Sequence, residues 1–222
     1  MLLSGPTASV VLGLSLGIAL ARPSMRTRET GHLEDVMERY AQGDDRSFAA
    51  LYDGLSPPLY GFLVRLTRDR SFAEDLVHET FLRIHRARGA YRTGAPVLPW
   101  AFAIARRLFL DDVRRFKRER LMVEREDERR SDPGVPAPGA TAEEQAAGRA
   151  LEAVIESELA KLPETQSTAF RLLKQEELSI AEAAAVLGAT ETTVKLRAHR
   201  AYIALRKAIK DRWDPALLGG EP

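Results

Sequence analysis

A segment rich in proline, glycine and alanine, SDPGVPAPGATAEE at residues 131–144, divides the chain into two parts. Proline lacks a backbone N–H and its ring clashes with the preceding helical turn, so this composition cannot continue a helix. On both sides, at residues 35–128 and from residue 151 to about 212, apolar residues recur at helical spacing. No run of alternating β-branched residues predicts a strand. The sequence therefore predicts an all-α fold of two small helical domains joined by a flexible linker.

The domain boundaries follow from charge as well as from the apolar pattern. Residues 121–150 hold seven acidic residues against four arginines, so we assign this range to an acidic linker rich in Pro, Gly and Ala. Residues 31–120 form the first predicted domain and residues 151–212 the second. Residues 1–30 are an extension outside the predicted fold, and residues 213–222 are a tail. Turn-forming residues at 43–45, 55–58, 68–71 and 91–99 predict the breaks between helices of the first domain.

The N-terminal extension contains an apolar stretch, ASVVLGLSLGIALA at residues 8–21. It is too short to span a bilayer as a helix, and no basic residue precedes it as in a secretory signal. Three interpretations compete: an export signal, a peripheral membrane tether, or upstream sequence with Met25 as the true start. We favour the third.

Composition excludes several classes of protein. The chain has 222 residues of which 45% are hydrophobic, enough for globular domains with cores. It has no cysteine, which excludes disulfides, iron–sulfur clusters and thiolate zinc sites and suits a reducing cytoplasm. The sequence shows no nucleophile with a base, no metal-ligand cluster and no phosphate-binding glycine loop. We therefore expect no catalytic residues, no metal site and no cofactor.

A helix-turn-helix is predicted in the second domain from LSIAEAAAVLGATETTVKLRAHRAY. Ser179 with Glu182 matches a capping box, Gly188 suits the left-handed end of that helix, and Thr190 can cap the next one. Two short helices joined by a glycine-containing turn, the second helix basic, are typical of this DNA-binding motif.

The helical wheel of the second helix separates a buried stripe from a polar arc. The stripe is Val194, Ala198, Ala201 and Leu205. The opposite arc would meet a DNA major groove, where Arg200 and Lys195 can donate to guanine or phosphate and Leu196 can contact a thymine methyl. We name this polar arc the recognition arc. Its members are Thr192, Thr193, Lys195, Leu196, His199 and Arg200.

An acidic amphipathic helix is predicted at residues 71–87. Its apolar arc should be core: Ala73, Leu76, Val77, Thr80, Phe81 and Ile84. The other arc carries Asp75, His78, Glu79, Leu82 and Arg86, and a leucine among exposed polar residues suggests a surface that binds a protein partner. We name Asp75, His78, Glu79 and Leu82 the docking face. The stretch HETFL lacks the second histidine of a His-Glu-x-x-His zinc site, because Leu82 stands there.

A second candidate nucleic-acid surface lies before the linker. Residues 101–120 hold seven basic residues, including Arg106, Arg107 and Arg114, against three acids. Aromatic side chains interleave with them, a combination that can stack unpaired bases while holding their phosphates. We expect Phe102 and Phe109 to be core, and Tyr91 and Trp100, which flank the loop at residues 91–99, to be better exposed.

Four stretches in order, AEDLVHETFLRIHRA, WAFAIARRLFLDDVRR, LPETQSTAFRLLKQEELSIAEAAAVLG and TVKLRAHRAYIALRK, resemble successive regions of extracytoplasmic-function (group IV) sigma factors of bacterial RNA polymerase. The resemblance covers residues 35–212. It implies a cytoplasmic, non-enzymatic initiation factor that binds core RNA polymerase and recognises the minus-35 and minus-10 promoter elements. The family also implies an anti-sigma partner and a monomer when free of partners.

The resemblance implies roles for particular residues. Asp75 and Glu79 match positions that bind the clamp helices of the beta-prime subunit, with His78 in place of the common glutamine. The loop from Tyr91 to Pro99 corresponds to a pocket for a flipped minus-10 base. Arg106 matches a common arginine, and Arg107 replaces an asparagine that often contacts promoter DNA. The minus-35 positions are Lys195, Leu196, His199 and Arg200.

Two other functions stay open on the residues alone. A conventional helix-turn-helix regulator would bind duplex DNA as a dimer without polymerase, whereas a sigma factor should bind promoters well only within the holoenzyme. An enzyme with an unrecognised site is the remoter possibility.

Overall fold

The described residues of the computed structural model, 27–120 and 142–212, are built from helices and connecting turns. The first half contains α1 (Thr27–Ala41), α2 (Ser47–Thr67), α3 (Arg70–Ala87), a one-turn 3-10 helix (Arg88–Ala90) and α4 (Val97–Arg120). The second half contains α5 (Ala142–Leu159), α6 (Glu164–Lys174), α7 (Ile180–Leu187) and α8 (Glu191–Arg212). The all-α fold predicted from the sequence is confirmed. The exact domain boundaries remain a prediction.

The first half is a bundle whose four helices share one core. Three of the helices supply most of this core. In each of them apolar residues recur every three or four positions and so lie on one face. α2 supplies Leu51, Leu55, Leu59, Phe62 and Leu63, all fully buried. α3 buries the predicted arc of Ala73, Leu76, Val77, Thr80, Phe81 and Ile84. α4 adds Phe102, whose ring lies edge-on to that of Phe62 with centroids 4.9 Å apart.

The predicted turn at residues 55–58 is wrong, because α2 continues through Pro57 and Pro58. Proline removes one helical hydrogen bond and crowds the carbonyl four residues earlier, here those of Asp53 and Gly54. Both of these residues are exposed, so water can bond to their carbonyls. Burial of the leucine row on the opposite face therefore outweighs the local preference of proline.

The helix that leads into the second half begins ahead of residue 151, where the second domain is predicted to start. α5 starts at Ala142, ahead of Leu151, because the intervening residues are mostly alanine and glutamate, which favour helix. α8 packs against α5, α6 and α7. Its inward stripe buries Val194, Ala201 and Leu205, with Ala198 half-buried.

A buried ion pair fastens α5 to α6. The Arg171 side chain is 2% exposed, and its Nη1 donates to Glu156 Oε1 over 2.6 Å. Gln175 also donates to that oxygen, over 2.9 Å. Burial alone would raise the pKa of Glu156, but the hydrogen bond and positive charge of Arg171 outweigh it and lower the pKa below 4.5.

The two halves are in direct contact. α4 packs against α7, and the buried residues of α7, including Ala183, Val186 and Leu187, belong to the same apolar cluster as the core of the first half. The sequence predicted two domains on a tether and gave no indication of this packing.

Across residues 27–120 and 142–212 no helix is both long and apolar enough to cross a membrane. The apolar stretch at residues 8–21, the choice of Met25 as the start, the segment 121–141 and the tail 213–222 lie outside the described residues.

Replacing Glu156 tests the ion pair of the second half. Glu156→Ala leaves the buried Arg171 guanidinium with Gln175 as its remaining side-chain acceptor, so we expect the free energy of unfolding to fall by about 2 to 3 kcal/mol at pH 7. Because the folded-state pKa of Glu156 is lowered, its contribution is complete above the unfolded value of 4.5 and is lost as pH falls through the folded value. Urea unfolding of both proteins between pH 7 and pH 3 should show the difference shrinking. A difference independent of pH would contradict the assignment.

Candidate functional site

The turn between α7 and α8 is fixed by its caps, as the sequence predicted. The Ser179 hydroxyl accepts the N–H of Glu182, and the Glu182 carboxylate accepts the N–H of Ser179, so the capping box is complete. Gly188 ends α7 with φ of 58° in the left-handed region. Three residues into the next helix, the N–H of Thr193 donates to the Thr190 hydroxyl over 3.2 Å. These bonds set the angle at which α8 leaves α7.

The recognition arc lies on the side of α8 that faces away from the core. Leu196 is 48% exposed although it is apolar. Thr193 is half-buried, and the remaining members, Thr192, Lys195, His199 and Arg200, are exposed. The division of α8 into a buried stripe and an exposed arc therefore agrees with the helical wheel. The exposed arc presents cations and hydroxyl groups around one leucine.

The docking face occupies the exposed side of α3. Asp75 and His78 are exposed, and the Leu82 side chain is 49% exposed. Glu79 is half-buried and accepts a hydrogen bond from Arg83 Nε over 2.8 Å, one turn along the helix. An i,i+4 pair of this kind contributes only about 0.3 to 0.5 kcal/mol, so Glu79 remains available to a partner.

The loop at residues 91–96, which we name the reading loop, connects the 3-10 helix to α4. It is shorter than the predicted loop of residues 91–99, because α4 begins at Val97 and includes Pro99 in its first turn, where a proline is tolerated. Tyr91, the first residue of the loop, and Trp100, in the first turn of α4, are half-buried and more exposed than Phe102 and Phe109. Their rings contact each other with centroids 5.5 Å apart.

Two carboxylates of α1 hold the reading loop. Glu38 Oε1 accepts the N–H of Gly94 over 2.9 Å, and Glu34 Oε1 accepts the N–H of Val97 over 3.0 Å. The Tyr91 hydroxyl donates to the carbonyl of Ala95 across the loop. Burial, together with the negative charges of Glu34 and Glu38, raises the pKa of Tyr91 to about 12. No signal in the sequence distinguishes either glutamate, because neither belongs to a recognisable short motif.

The three predicted DNA-binding arginines of α4 differ in accessibility. Arg107 is 86% exposed and its Nε lies 4.0 Å from Asp111. Arg114 is also exposed, with Nη1 3.2 Å from the other oxygen of the same carboxylate group. Arg106 is only 12% exposed, because Glu164 of α6 binds it in a bidentate manner, with Nε and Nη2 donating over 3.0 and 3.1 Å.

A second ion pair also joins the halves. Arg65 of α2 binds Glu176, whose side chain is 3% exposed and which follows α6 in the chain. The hydroxyl of buried Thr168 donates to Glu164 Oε1 over 3.0 Å, so the carboxylate of the first pair is also oriented by its own half. These two ion pairs and the packing of α4 on α7 hold the two halves in contact. We name this the closed arrangement.

Comparison with protein families places both halves in one family. The Sigma-70 region 2 model matches residues 51–119, and the Sigma-70 region 4 model matches residues 152–205. The chain is 32% identical to the RNA polymerase sigma factor CarQ of Myxococcus xanthus, over 78% of this chain and 95% of the relative. The chain belongs to the sigma-70 family. It falls in the extracytoplasmic-function group, since it is 34% identical to the ECF sigma factor SigL of Mycobacterium tuberculosis, over 73% of this chain and 88% of that protein.

Solved structures agree on the fold of this sigma factor. The sigma factor RpoE of Bartonella quintana, solved with the anti-sigma factor NepR, has a TM-score of 0.62 at 24% identity, covering 74% of this chain and 98% of RpoE. CnrH, solved with the cytosolic domain of CnrY, has a TM-score of 0.58 at 22% identity, covering 81% of this chain and 98% of CnrH. As a sigma factor, the protein directs transcription initiation by RNA polymerase.

The ion pairs between the halves can be tested by removing both carboxylates. In Glu164→Ala with Glu176→Ala, Arg106 and Arg65 lose charge-assisted bonds worth about 1.5 to 3 kcal/mol each, so the ratio of open to closed sigma factor should rise at least about tenfold. The chain has no cysteine, so Asp53→Cys and Lys161→Cys provide unique dye positions for energy transfer between the halves. The transfer efficiency should fall in the double variant.

The matched control is Asp35→Ala with Glu152→Ala, which removes the same charge from two exposed positions. Its transfer efficiency should equal that of the parent. Equal efficiency in all three proteins would mean that the ion pairs do not hold the closed arrangement.

Proposed function

We propose that this sigma factor binds core RNA polymerase through the docking face, reads the minus-35 element with the recognition arc, and contacts the minus-10 element through the reading loop and α4. The observation that carries this assignment is the position of the recognition arc. It is the exposed side of a helix whose caps and core stripe leave it free to enter a major groove.

The recognition arc offers distinct chemistry to duplex DNA. Arg200 and Lys195 can donate to the N7 and O6 acceptors of guanine, and Leu196 offers an apolar contact to a thymine methyl. Thr192 lies in the first turn of α8, where hydroxyl groups and backbone N–H groups bind phosphate. Base contacts of this kind would supply sequence preference, and the phosphate contacts would fix the register.

The minus-10 contacts use a different mechanism, because the bases must leave the duplex. Arg107 and Arg114 are exposed and can hold the phosphates of a separated strand. The contacting rings of Tyr91 and Trp100 border the reading loop, where an extruded base could stack. Arg106 is expected to join this surface once Glu164 releases it.

Reading both elements requires the two halves to separate. The elements lie about 25 nucleotides apart, which at about 3.4 Å per nucleotide is about 85 Å of duplex. In the closed arrangement, Arg106 and the first turn of α6 are within hydrogen-bond distance. Residues 121–141 can span at most about 70 to 75 Å at about 3.3 to 3.6 Å per residue, and the lengths of the domains make up the remainder. We therefore propose that the closed form is the state of the free factor.

The proposed setting is the cytoplasm, where the factor acts as a monomeric, non-catalytic subunit. If light scattering gives the mass of a dimer for the free protein, the monomer is contradicted.

RpoE and CnrH were each solved with a second protein, which is named as an anti-sigma factor for RpoE. We propose that an anti-sigma factor also controls this chain. If affinity capture from the native cell recovers RNA polymerase as the sole partner, the proposed regulation by an anti-sigma factor is contradicted.

Removing two carboxylates of the docking face tests the polymerase contact. Asp75→Ala with Glu79→Ala should weaken binding to core RNA polymerase at least about tenfold, because removing one partner of a charge pair buried in an interface costs about 2 to 5 kcal/mol. Both residues lie off the core, so folding should be unchanged. Competition binding with labelled factor measures the affinity. The control Asp53→Ala with Glu152→Ala removes equal charge elsewhere and should bind normally; an equal loss in the control would refute a local docking face.

Arg200→Ala tests the minus-35 contact in the holoenzyme. If Arg200 makes a bidentate contact to guanine, promoter use should fall by about 1 to 3 kcal/mol, or about 5- to 150-fold, on the preferred upstream sequence and much less on a substituted one. Lys161→Ala removes an exposed cation outside α8 and serves as the control. Open-complex formation measures the effect. An equal loss on every upstream sequence would instead identify Arg200 as a phosphate contact.

A further inference from the structure

Helix α1 lies outside the two segments that match the sigma-70 models, yet it contacts the part of the first half that we propose to face the minus-10 element. The matched segment begins at residue 51, after α1 has ended at Ala41. α1 packs against α2, α4 and the 3-10 helix that leads into the reading loop. It is therefore placed to influence the shape of that loop.

The spacing of the two glutamates on α1 suits the loop. Glu34 and Glu38 are four residues apart, so they lie one above the other on the same face, about 6 Å apart along the axis. Their partners, the N–H groups of Gly94 and Val97, are three residues apart in the chain. Two consecutive turns of one helix thus bind the reading loop at Gly94 and the first residue of α4 directly after it.

Both N–H groups find their acceptor outside their own segment. Gly94 lies within the turn that the Ala95 N–H closes on the Arg92 carbonyl, and its φ of 75° is in the left-handed region that suits glycine. Val97 is the first residue of α4, and the first N–H groups of a helix have no acceptor within it. A carboxylate at this end also interacts favourably with the helix dipole. Glu34 therefore caps α4 from a neighbouring helix.

The negative charge of these residues argues against a direct role in holding DNA. Carboxylates beside a DNA-binding loop repel phosphates, so Glu34 and Glu38 would weaken binding if charge were their contribution. Their geometry instead satisfies backbone donors. The loop is bonded on its other side by the Ala95 N–H to the Arg92 carbonyl over 2.9 Å and by the Tyr91 hydroxyl to the Ala95 carbonyl.

We propose that Glu34 and Glu38 are positioning residues that hold the reading loop in one conformation and thereby set base preference at the minus-10 element. The proposal rests on the proposed role of the reading loop. The glutamates do not touch DNA; they act through the backbone of Gly94 and Val97.

The test compares loss of the hydrogen-bond acceptor with loss of the negative charge. Glu34→Ala with Glu38→Ala removes the acceptors and the charges together. Glu34→Gln with Glu38→Gln removes the charge but keeps an amide oxygen that can accept the same N–H groups. Asp35→Ala with Asp53→Ala is the control, because it removes equal charge from exposed positions, one of them on α1. Each holoenzyme is assayed for open-complex formation on one promoter and on copies with single minus-10 substitutions.

In the alanine protein, the ratio of open-complex formation on the parent promoter to that on the minus-10-substituted copies should fall about five- to tenfold. One specific base contact supplies about 5- to 150-fold of such discrimination, and a misplaced loop should lose part of it. The glutamine protein and the control should stay within about twofold of the parent. Polymerase affinity and the effect of minus-35 substitutions should be unchanged in all proteins, which also establishes that each is folded.

A second variant reaches the loop without touching α1. A Cβ at Gly94 meets no atom within 4 Å, so Gly94→Ala strains the backbone without a clash. It should reproduce the loss of minus-10 discrimination.

Three results would overturn the inference. If the alanine protein discriminates as well as the parent, the glutamates do not position the loop. If the glutamine protein fails as badly as the alanine protein, their charge acts rather than their hydrogen bonds. If the parent itself shows no minus-10 discrimination while its minus-35 dependence is intact, the proposed role of the reading loop fails and this inference fails with it.

Discussion

The contact of α4 with α7, flanked by the Arg106–Glu164 and Arg65–Glu176 ion pairs, makes one body out of the two halves. α4 serves both sides of this contact. Phe102 and Ala105 belong to the core of the first half, and Arg106, next in sequence, binds the second half. Desolvation offsets much of the attraction in buried ion pairs, so such pairs add directional geometry more than net stability. The closed arrangement is therefore specific, and its contacts can be exchanged for contacts with a partner.

Closure leaves the surfaces of the sigma factor unequally accessible. The docking face and the recognition arc are both exposed, whereas Arg106 is covered by Glu164. The surfaces proposed for polymerase and for upstream duplex can thus act while the halves remain together. Arg106, which belongs to the surface proposed for the separated strand, becomes available only after the two halves separate.

The parts of the fold that depend on local pattern could be predicted from the sequence. The buried arc of α3, the stripe and arc of α8, and the caps at Ser179, Gly188 and Thr190 each follow from spacing or from the conformational preference of one residue. The turn predicted at residues 55–58 was wrong because burial of the leucine row on the opposite face of the same helix outweighed the local preference of Pro57 and Pro58.

Contacts between distant segments could not be predicted in the same way. Arg106 bonds to a residue 58 positions away, and Arg65 to one 111 positions away. Nothing in the periodicity of either helix relates the two partners. The same holds for Glu34 and Glu38, whose acceptor role depends on where α1 lies against a loop more than 50 positions later. Such contacts require the tertiary structure, because they depend on how the helices are arranged in space.

The reading loop and α1, the helix that supports it, are separate segments of the chain, so the two can change independently as related sigma factors diverge. The loop lies within the segment that matches the family model, and α1 lies outside it. Under the proposed role of the loop, substitutions in α1 could alter its conformation while every residue of the proposed DNA-binding surfaces stays the same. Duplicated copies of such a gene could then acquire different target promoters through mutations outside those surfaces.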